Sequence, residues 1–248
     1  MSNDRDTTMH SRDANDLHAA CKREGCPVCT VVLENMDRAM DTWQYEGFTD
    51  AEHRKEVMRT RGFCPLHTWQ LAQRNNAFQL AVIYREVLTD LLETMSDEQK
   101  QATHSPRALE ENWILKVKRW FQLGSPGREN TAPLFAGCPL CRTRTNAEQR
   151  VIGRLVELLP SQEMQSLLRQ STGLCRLHFF QTTQSLREKA SLHAALVACQ
   201  RACLQRTLDE VKELIRKHDY RASAEPRGEE MTAWRRAAQL CAGNPGVH

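Results

Sequence analysis

"GFCPLH" (62–67) and "GLCRLH" (173–178) share a pattern of glycine, apolar residue, cysteine, any residue, leucine, histidine. Each is preceded by a second cysteine pair, "GCPVC" at 25–29 and "GCPLC" at 137–141. Working outward from these hexamers, Cys138 and Cys141 follow Cys26 and Cys29 by 112 residues, while Cys175 and His178 follow Cys64 and His67 by 111. A drift of one residue over such a distance marks an internal repeat. "LGSPG" (123–127) and "AGNPG" (242–246) extend it loosely, each after a Trp-containing charged stretch, "EENWILKVKRW" and "EEMTAWRRAAQL".

Both copies carry helical periodicity and neither shows strand alternation. Val32, Met36, Ala39, Met40 and Trp43 recur at three- and four-residue steps, as do Leu80, Ile83, Tyr84, Val87, Leu91 and Met95. The second copy repeats the plan with Val151, Leu155, Leu158 and Leu159, a break at Pro160, and a long stripe from Leu192 through Leu196, Cys199, Cys203, Leu208 and Val211 to Ile215. Thr49 or Asp50 caps a helix that Gly62 ends. The expected fold is all-α, a tandem duplication of a metal-clamped helical unit. Its expected parts are a disordered tail (1–19), a first repeat (20–127), a linker (128–137, within the Ser-, Pro- and Gly-containing segment 123–137) and a second repeat (138–248).

Each copy supplies three thiols and one imidazole in two close pairs, separated by 34 and 33 residues. Four such ligands suit tetrahedral Zn²⁺, and a two-residue gap lets both members of a pair reach one ion. Pro27, Pro65 and Pro139 directly follow a cysteine, the place of proline in a first helical turn. The cysteines then lie at helix N-termini, where the helix dipole favours thiolate. Three residues on, His67 and His178 share a face with Cys64 and Cys175. The candidate metal ligands are Cys26, Cys29, Cys64, His67, Cys138, Cys141, Cys175 and His178. Two ions per chain are expected, zinc in the first reading, although Cys₃His sets also hold iron–sulfur clusters and spacing does not separate the two. Preserved spacing within each copy favours one site per copy; a pseudo-twofold arrangement would instead let Cys26 and Cys29 share an ion with Cys175 and His178. Four protein ligands leave no open position, so the expected role is structural.

The other four cysteines read differently. Cys199 and Cys203 fall on an apolar stripe and behave as core residues. Cys21 has no counterpart in the second copy, and Cys241 is a minor contact. His53, His104, His193 and His218 lack paired ligands. Arg142, Arg144 and Arg150 near a helix start, and "KVKRW" (116–120), are weak signals for anions or nucleic acid. The net charge of +3 carries no basic stripe, and no basic recognition helix accompanies the cysteines. Thioredoxin-like chemistry for Cys-Pro-x-Cys would need a βαβ setting that is not evident. No phosphate loop, Ser-His-Asp set or paired carboxylates stand out, so no small-molecule substrate is identifiable and the reading leans away from an enzyme.

The doubled Cys-Pro-x-Cys and Gly-x-Cys-x-x-His, together with Trp234 on its helix before a glycine, resemble a bacterial family catalogued as a domain of unknown function. The resemblance runs from about residue 20 onward and departs at Arg176, where the first copy has Pro65. It implies a soluble α-helical bacterial protein and supplies no activity. The N-terminus lacks an apolar signal segment and no run approaches the roughly 20 apolar residues of a membrane span, so a cytoplasmic location is expected. The leading functional expectation is an interaction or scaffold protein that binds a protein partner through helix faces. The alternative is a redox or sensor protein with iron–sulfur clusters or labile thiolates; nucleic-acid binding comes third.

Overall fold

A computed structural model describes residues 3–47, 49–74, 77–104, 137–222 and 225–247. Its helices are α1 (Asn3–Cys21), α2 (Pro27–Thr42), α3 (Ala51–Arg59), α4 (Pro65–Ala72), α5 (Ala77–His104), α6 (Pro139–Leu158), α7 (Gln162–Gln170), α8 (Arg176–Ser185), α9 (Ala190–Lys217) and α10 (Ala233–Ala242). A π turn, Trp43–Gly47, extends α2, and 3₁₀ turns Tyr220–Ala222 and Glu229–Thr232 precede α10. No strand occurs among the described residues, in agreement with the all-α expectation. None of the described helices is long and apolar enough to cross a membrane. The expected linker 128–137, apart from Gly137, and the "LGSPG" and "KVKRW" segments lie outside the described residues.

The chain divides into two compact units, Met1–Met36 with Arg144–His248, and Asp37–Thr143. These are not the sequence copies 20–127 and 138–248: both boundaries between units fall inside a helix, one in α2 and one in α6.

In the first unit, α9 packs on α7 and α10, α10 also meets α8, and α1 packs on α7. Leu155, Leu159, Met164, Leu168, Leu174, Leu186 and Leu196 fill its core. Fully burying one such side chain contributes about 1.5–3 kcal/mol. Cys199 and Cys203, one turn apart on α9, are core residues as expected. The Cys203 thiol donates to the Leu168 carbonyl at 3.1 Å. Of the segment 1–19 expected as a disordered tail, residues 3–19 belong to α1, which is anchored through its C-terminal part. Leu17 and Ala20 are fully buried, and buried Asp13 accepts from Arg150 Nε at 2.7 Å. A polar-looking segment escapes a hydropathy reading when its few buried residues lie on one stripe, as Asp13, Leu17 and Ala20 do.

Among the described residues, the second unit has the thinner core. α5 packs on α3 and α4, burying Val57, Leu71, Ile83 and Val87. Trp43 lies edge-on to Phe63 (centroids 5.2 Å) and to His53 (5.1 Å), so His53 serves packing. Asp50 caps α3, accepting from the Glu52 amide at 2.7 Å and the His53 amide at 3.3 Å; those bonds hold its carboxyl below the usual range.

Candidate metal centres

Four helix N-termini carry the eight predicted ligands, and all four are built alike. The carbonyls of Cys26, Cys64, Cys138 and Cys175 accept the first i→i+4 bonds from Thr30 N (3.0 Å), Thr68 N (2.9 Å), Arg142 N (3.1 Å) and Phe179 N (2.8 Å). Each leading cysteine is therefore an N-cap, and its partner three residues on stands at the third helical position. That is the spacing of a capping box, with metal-ligating side chains in place of hydroxyl and carboxylate. Cys64 and Cys175 adopt the same backbone, φ/ψ −65/161 and −66/161. The departure at Arg176 thus leaves the geometry intact, because the first helical position needs no proline, only a residue whose N–H has no intrahelical partner.

The structure gathers the ligands as Cys26, Cys29, Cys175 and His178, and as Cys64, His67, Cys138 and Cys141, with all donor atoms of each set within 4.8 Å of one another. This corrects the expectation of one site per copy: each quartet takes its Cys-Pro-x-Cys from one copy and its Cys-x-x-His from the other. Each quartet nevertheless lies wholly within one compact unit. Spacing along the chain does not fix direction in space. Between the two motifs of a copy stand helices of 16 and 9 residues (α2, α3) or 20 and 9 (α6, α7), and the two motifs of each copy end in different quartets.

Separations fit one tetrahedral ion per quartet. Zn–S of about 2.3 Å and Zn–N of about 2.0–2.1 Å imply tetrahedral edges of about 3.8 Å between sulfurs and about 3.6 Å between sulfur and nitrogen. In the first quartet Cys29 Sγ lies 3.7 Å from Cys175 Sγ, and His178 Nδ1 lies 3.6, 3.3 and 3.3 Å from the sulfurs of Cys26, Cys29 and Cys175. In the second, Cys141 Sγ lies 3.5 Å from Cys64 Sγ, and His67 Nδ1 lies 3.1, 3.6 and 3.4 Å from those of Cys64, Cys138 and Cys141. Three soft sulfurs, one imidazole nitrogen and two converging helix N-termini suit a divalent cation with deprotonated thiols.

Ionisation is divided within each quartet. Hydrogen bonds from the Cys26 and Cys29 thiols, together with His178, hold Cys175 far below the ordinary thiol range. Burial pushes Cys26 well above it, with hydrogen bonds to Cys175 and Cys29 adding to the rise. Burial works against a charge on His178, but hydrogen bonds to Cys175 and Cys29 prevail and raise it to about 9. In the second quartet burial and the Cys64 hydrogen bond push Cys141 up to about 12. Burial opposes a thiolate at Cys138, yet hydrogen bonds with His67 and the backbone draw its pKa down. Metal binding must displace the protons of the raised thiols.

Supporting residues that spacing could not reveal surround the first quartet. Asn244, in the C-terminal "AGNPG", accepts from the Cys26 amide at 3.0 Å and donates to Thr30 Oγ1 at 3.1 Å. Accepting from the N-cap amide is the part that the third helical residue of a capping box plays, a position held here by Cys29. Gly25, at φ +106, donates its amide to Thr172 Oγ1 at 2.9 Å, and a Cβ there would come within 2.6 Å of Asn244. The buried Gln200 amide of α9 bonds both the N–H (2.9 Å) and the carbonyl (2.8 Å) of Leu174, fixing the residue before Cys175. Replacing Asn244 with Ala is expected to weaken metal binding at the first quartet about 10-fold or more while sparing the second, as loss of outer partners does elsewhere; competition with a chromogenic chelator measures it.

Other sequence candidates are absorbed by the fold. Arg142 pairs with Glu56, Arg144 donates to the Val247 carbonyl at 2.9 Å, and Arg150 bonds Asp13 and Asn35; the arginines expected to attract an anion are engaged internally. Cys21 is buried and stands outside both quartets, its thiol pushed up to about 12 by burial and by neighbouring Cys203. Cys241 is exposed. His218 is exposed, and His193 and His218 belong to neither quartet.

Compared with known proteins, residues 13–246 match the model of a family described as "Family of unknown function (DUF6062)". The matched span includes all eight quartet residues and the C-terminal part of α1. No curated protein and no solved structure matches the chain.

Proposed function

We propose that this chain, which belongs to the family of unknown function DUF6062, is a helical interaction protein whose two Cys₃His quartets each hold a structural zinc ion. The observation that carries the metal assignment is convergence: every donor pair in a quartet lies within 4.8 Å. In a [4Fe–4S] cluster each ligand serves a different iron, and the sulfurs stand farther apart than around a single ion. Single-ion spacing with three thiolates and one imidazole favours zinc, and four protein donors complete its tetrahedron without a place for substrate.

The interaction role is supported by apolar side chains left on helix surfaces. On α9, Leu204, Leu208 and Ile215 are 49 %, 48 % and 66 % exposed, in line with Val197 at 38 %. Spaced by three and four residues or their sums, they form one stripe, the pattern by which amphipathic helices engage protein partners.

Elemental analysis of protein purified without a nickel column tests the metal assignment. Two zinc ions per chain in a colourless solution are expected. Visible absorbance with iron and acid-labile sulfide would replace this reading with the cluster alternative.

A further inference from the structure

The two quartets differ in access. In the first, Cys26, Cys29 and His178 are 0 % exposed and Cys175 is 1 %, and Asn244 covers the Cys26 helix terminus. In the second, His67 and Cys138 are 1 % exposed, but Cys64 reaches 9 % and Cys141 is partly exposed. The accessible thiol, Cys141, has the least enclosed of its fellow sulfurs as a neighbour, with Cys141 Sγ 3.5 Å from Cys64 Sγ. We propose that Cys141 and Cys64 form an oxidation site for small hydroperoxides, and that their conversion to a disulfide releases the ion of the second quartet while the first stays loaded. The inference rests on the zinc reading above and adds to it a division of labour between the sites.

The chemistry closes without a further reagent. Metal-bound Cys141 is a thiolate; it attacks one peroxide oxygen, the O–O bond breaks, and the leaving hydroxide or alkoxide takes a proton from water. Cys141 is then a sulfenic acid. The Cys64 thiolate attacks that sulfur, a disulfide forms, and hydroxide leaves to become water. Two thiolates have lost two electrons, and one peroxide has gained them. The ion keeps only Cys138 and His67, two donors short of its tetrahedron, and dissociates. Bridging needs the sulfurs to close from 3.5 Å to about 2.05 Å, a small movement at the ends of two side chains. Among metal-bound thiolates oxidation follows exposure, and in the second quartet the partly exposed cysteine is Cys141.

The experiment uses the full chain with exposed Cys241 replaced by Ser, so that intermolecular disulfides do not obscure the result. Bound zinc is measured first; hydrogen peroxide is then added in the presence of a chromogenic chelator, and the oxidised residues are mapped by peptide mass spectrometry. Half of the bound zinc should leave at least about tenfold faster than the rest, as exposure-controlled thiol oxidation dictates, with a Cys64–Cys141 disulfide forming on the same time course. Thiol reductant plus zinc should restore the original metal content. Release of both halves at one rate, or loss of the fast half with Cys141 still reduced, overturns the proposal and leaves two structural zinc ions in place. Protein that carries no metal before peroxide sinks the zinc reading itself, an outcome distinguished at the first measurement.

Discussion

Removing the metal at neutral pH is expected to abolish much of the helicity and to lower the melting temperature steeply, most severely in the unit Asp37–Thr143. Structural zinc in small zinc-finger peptides supplies about 10–16 kcal/mol, as much as the net stability of about 5–15 kcal/mol of a whole domain. The loss is not shared evenly, because the described residues of the two units bury different cores. The first unit buries the aliphatic set Leu155, Leu159, Met164, Leu168, Leu174, Leu186 and Leu196, whereas the second relies mainly on Trp43, Val57, Phe63, Leu71, Ile83 and Val87. Trp43 reports on that unit directly: at 9 % exposure, its emission should shift to the red as the helices separate. Circular dichroism and fluorescence after treatment with a strong chelator, with metal loss confirmed by elemental analysis, decide the matter. Unchanged melting in protein shown to be free of metal would rule out a structural role for the ions.

What a sequence reader could find here was set by the chemistry of the side chains. Cysteine and histidine at two-residue gaps are rare enough to identify the ligands, and proline after three of the cysteines placed them at helix starts; the N-cap geometry of Cys64 and Cys175 follows from that pattern. A cap at Thr49 or Asp50, of which the structure uses Asp50, and Cys199 and Cys203 as core residues, were legible for the same reason, since each is decided within a turn or two of helix. Ligand partnership was not local. Spacing counts residues but carries no direction, and Cys29 meets Cys175 across 146 positions of chain. Asn244, Thr172 and Gln200 were hidden for a related reason: each acts through one hydrogen-bonding group on a residue far away in sequence, and amides and hydroxyls are too common on surfaces to stand out. The anchoring of α1 rests on Asp13, Leu17 and Ala20, three residues on one stripe in an otherwise polar run.

The exchanged pairing has a consequence that separates it from the arrangement expected from spacing. Replacing Cys26 with Ser should reduce bound metal from two ions to one and expose a defined set of thiols. With the quartets composed as the structure has them, the lost ion frees Cys29 and Cys175, while Cys64, Cys138 and Cys141 keep theirs. If ligands were drawn from one copy, the same substitution would instead free Cys29 and Cys64 and leave Cys175 protected. Alkylation under native conditions followed by peptide mapping reads this out, because a metal-bound thiolate reacts slowly and its released neighbour reacts as an ordinary thiol. Burial complicates the comparison in a known direction: Cys29 and Cys175 are almost fully enclosed, so their labelling needs the loosening that loss of the ion brings. The experiment is therefore run with Cys138→Ser as its mirror image, for which Cys64 and Cys141 should label while Cys26, Cys29 and Cys175 stay protected. Two variants with complementary labelling patterns cannot arise from general unfolding, which would expose every thiol in both. Protection of Cys175 in the Cys26→Ser protein, together with labelling of Cys64, would return the ligands to separate copies and overturn the arrangement described here.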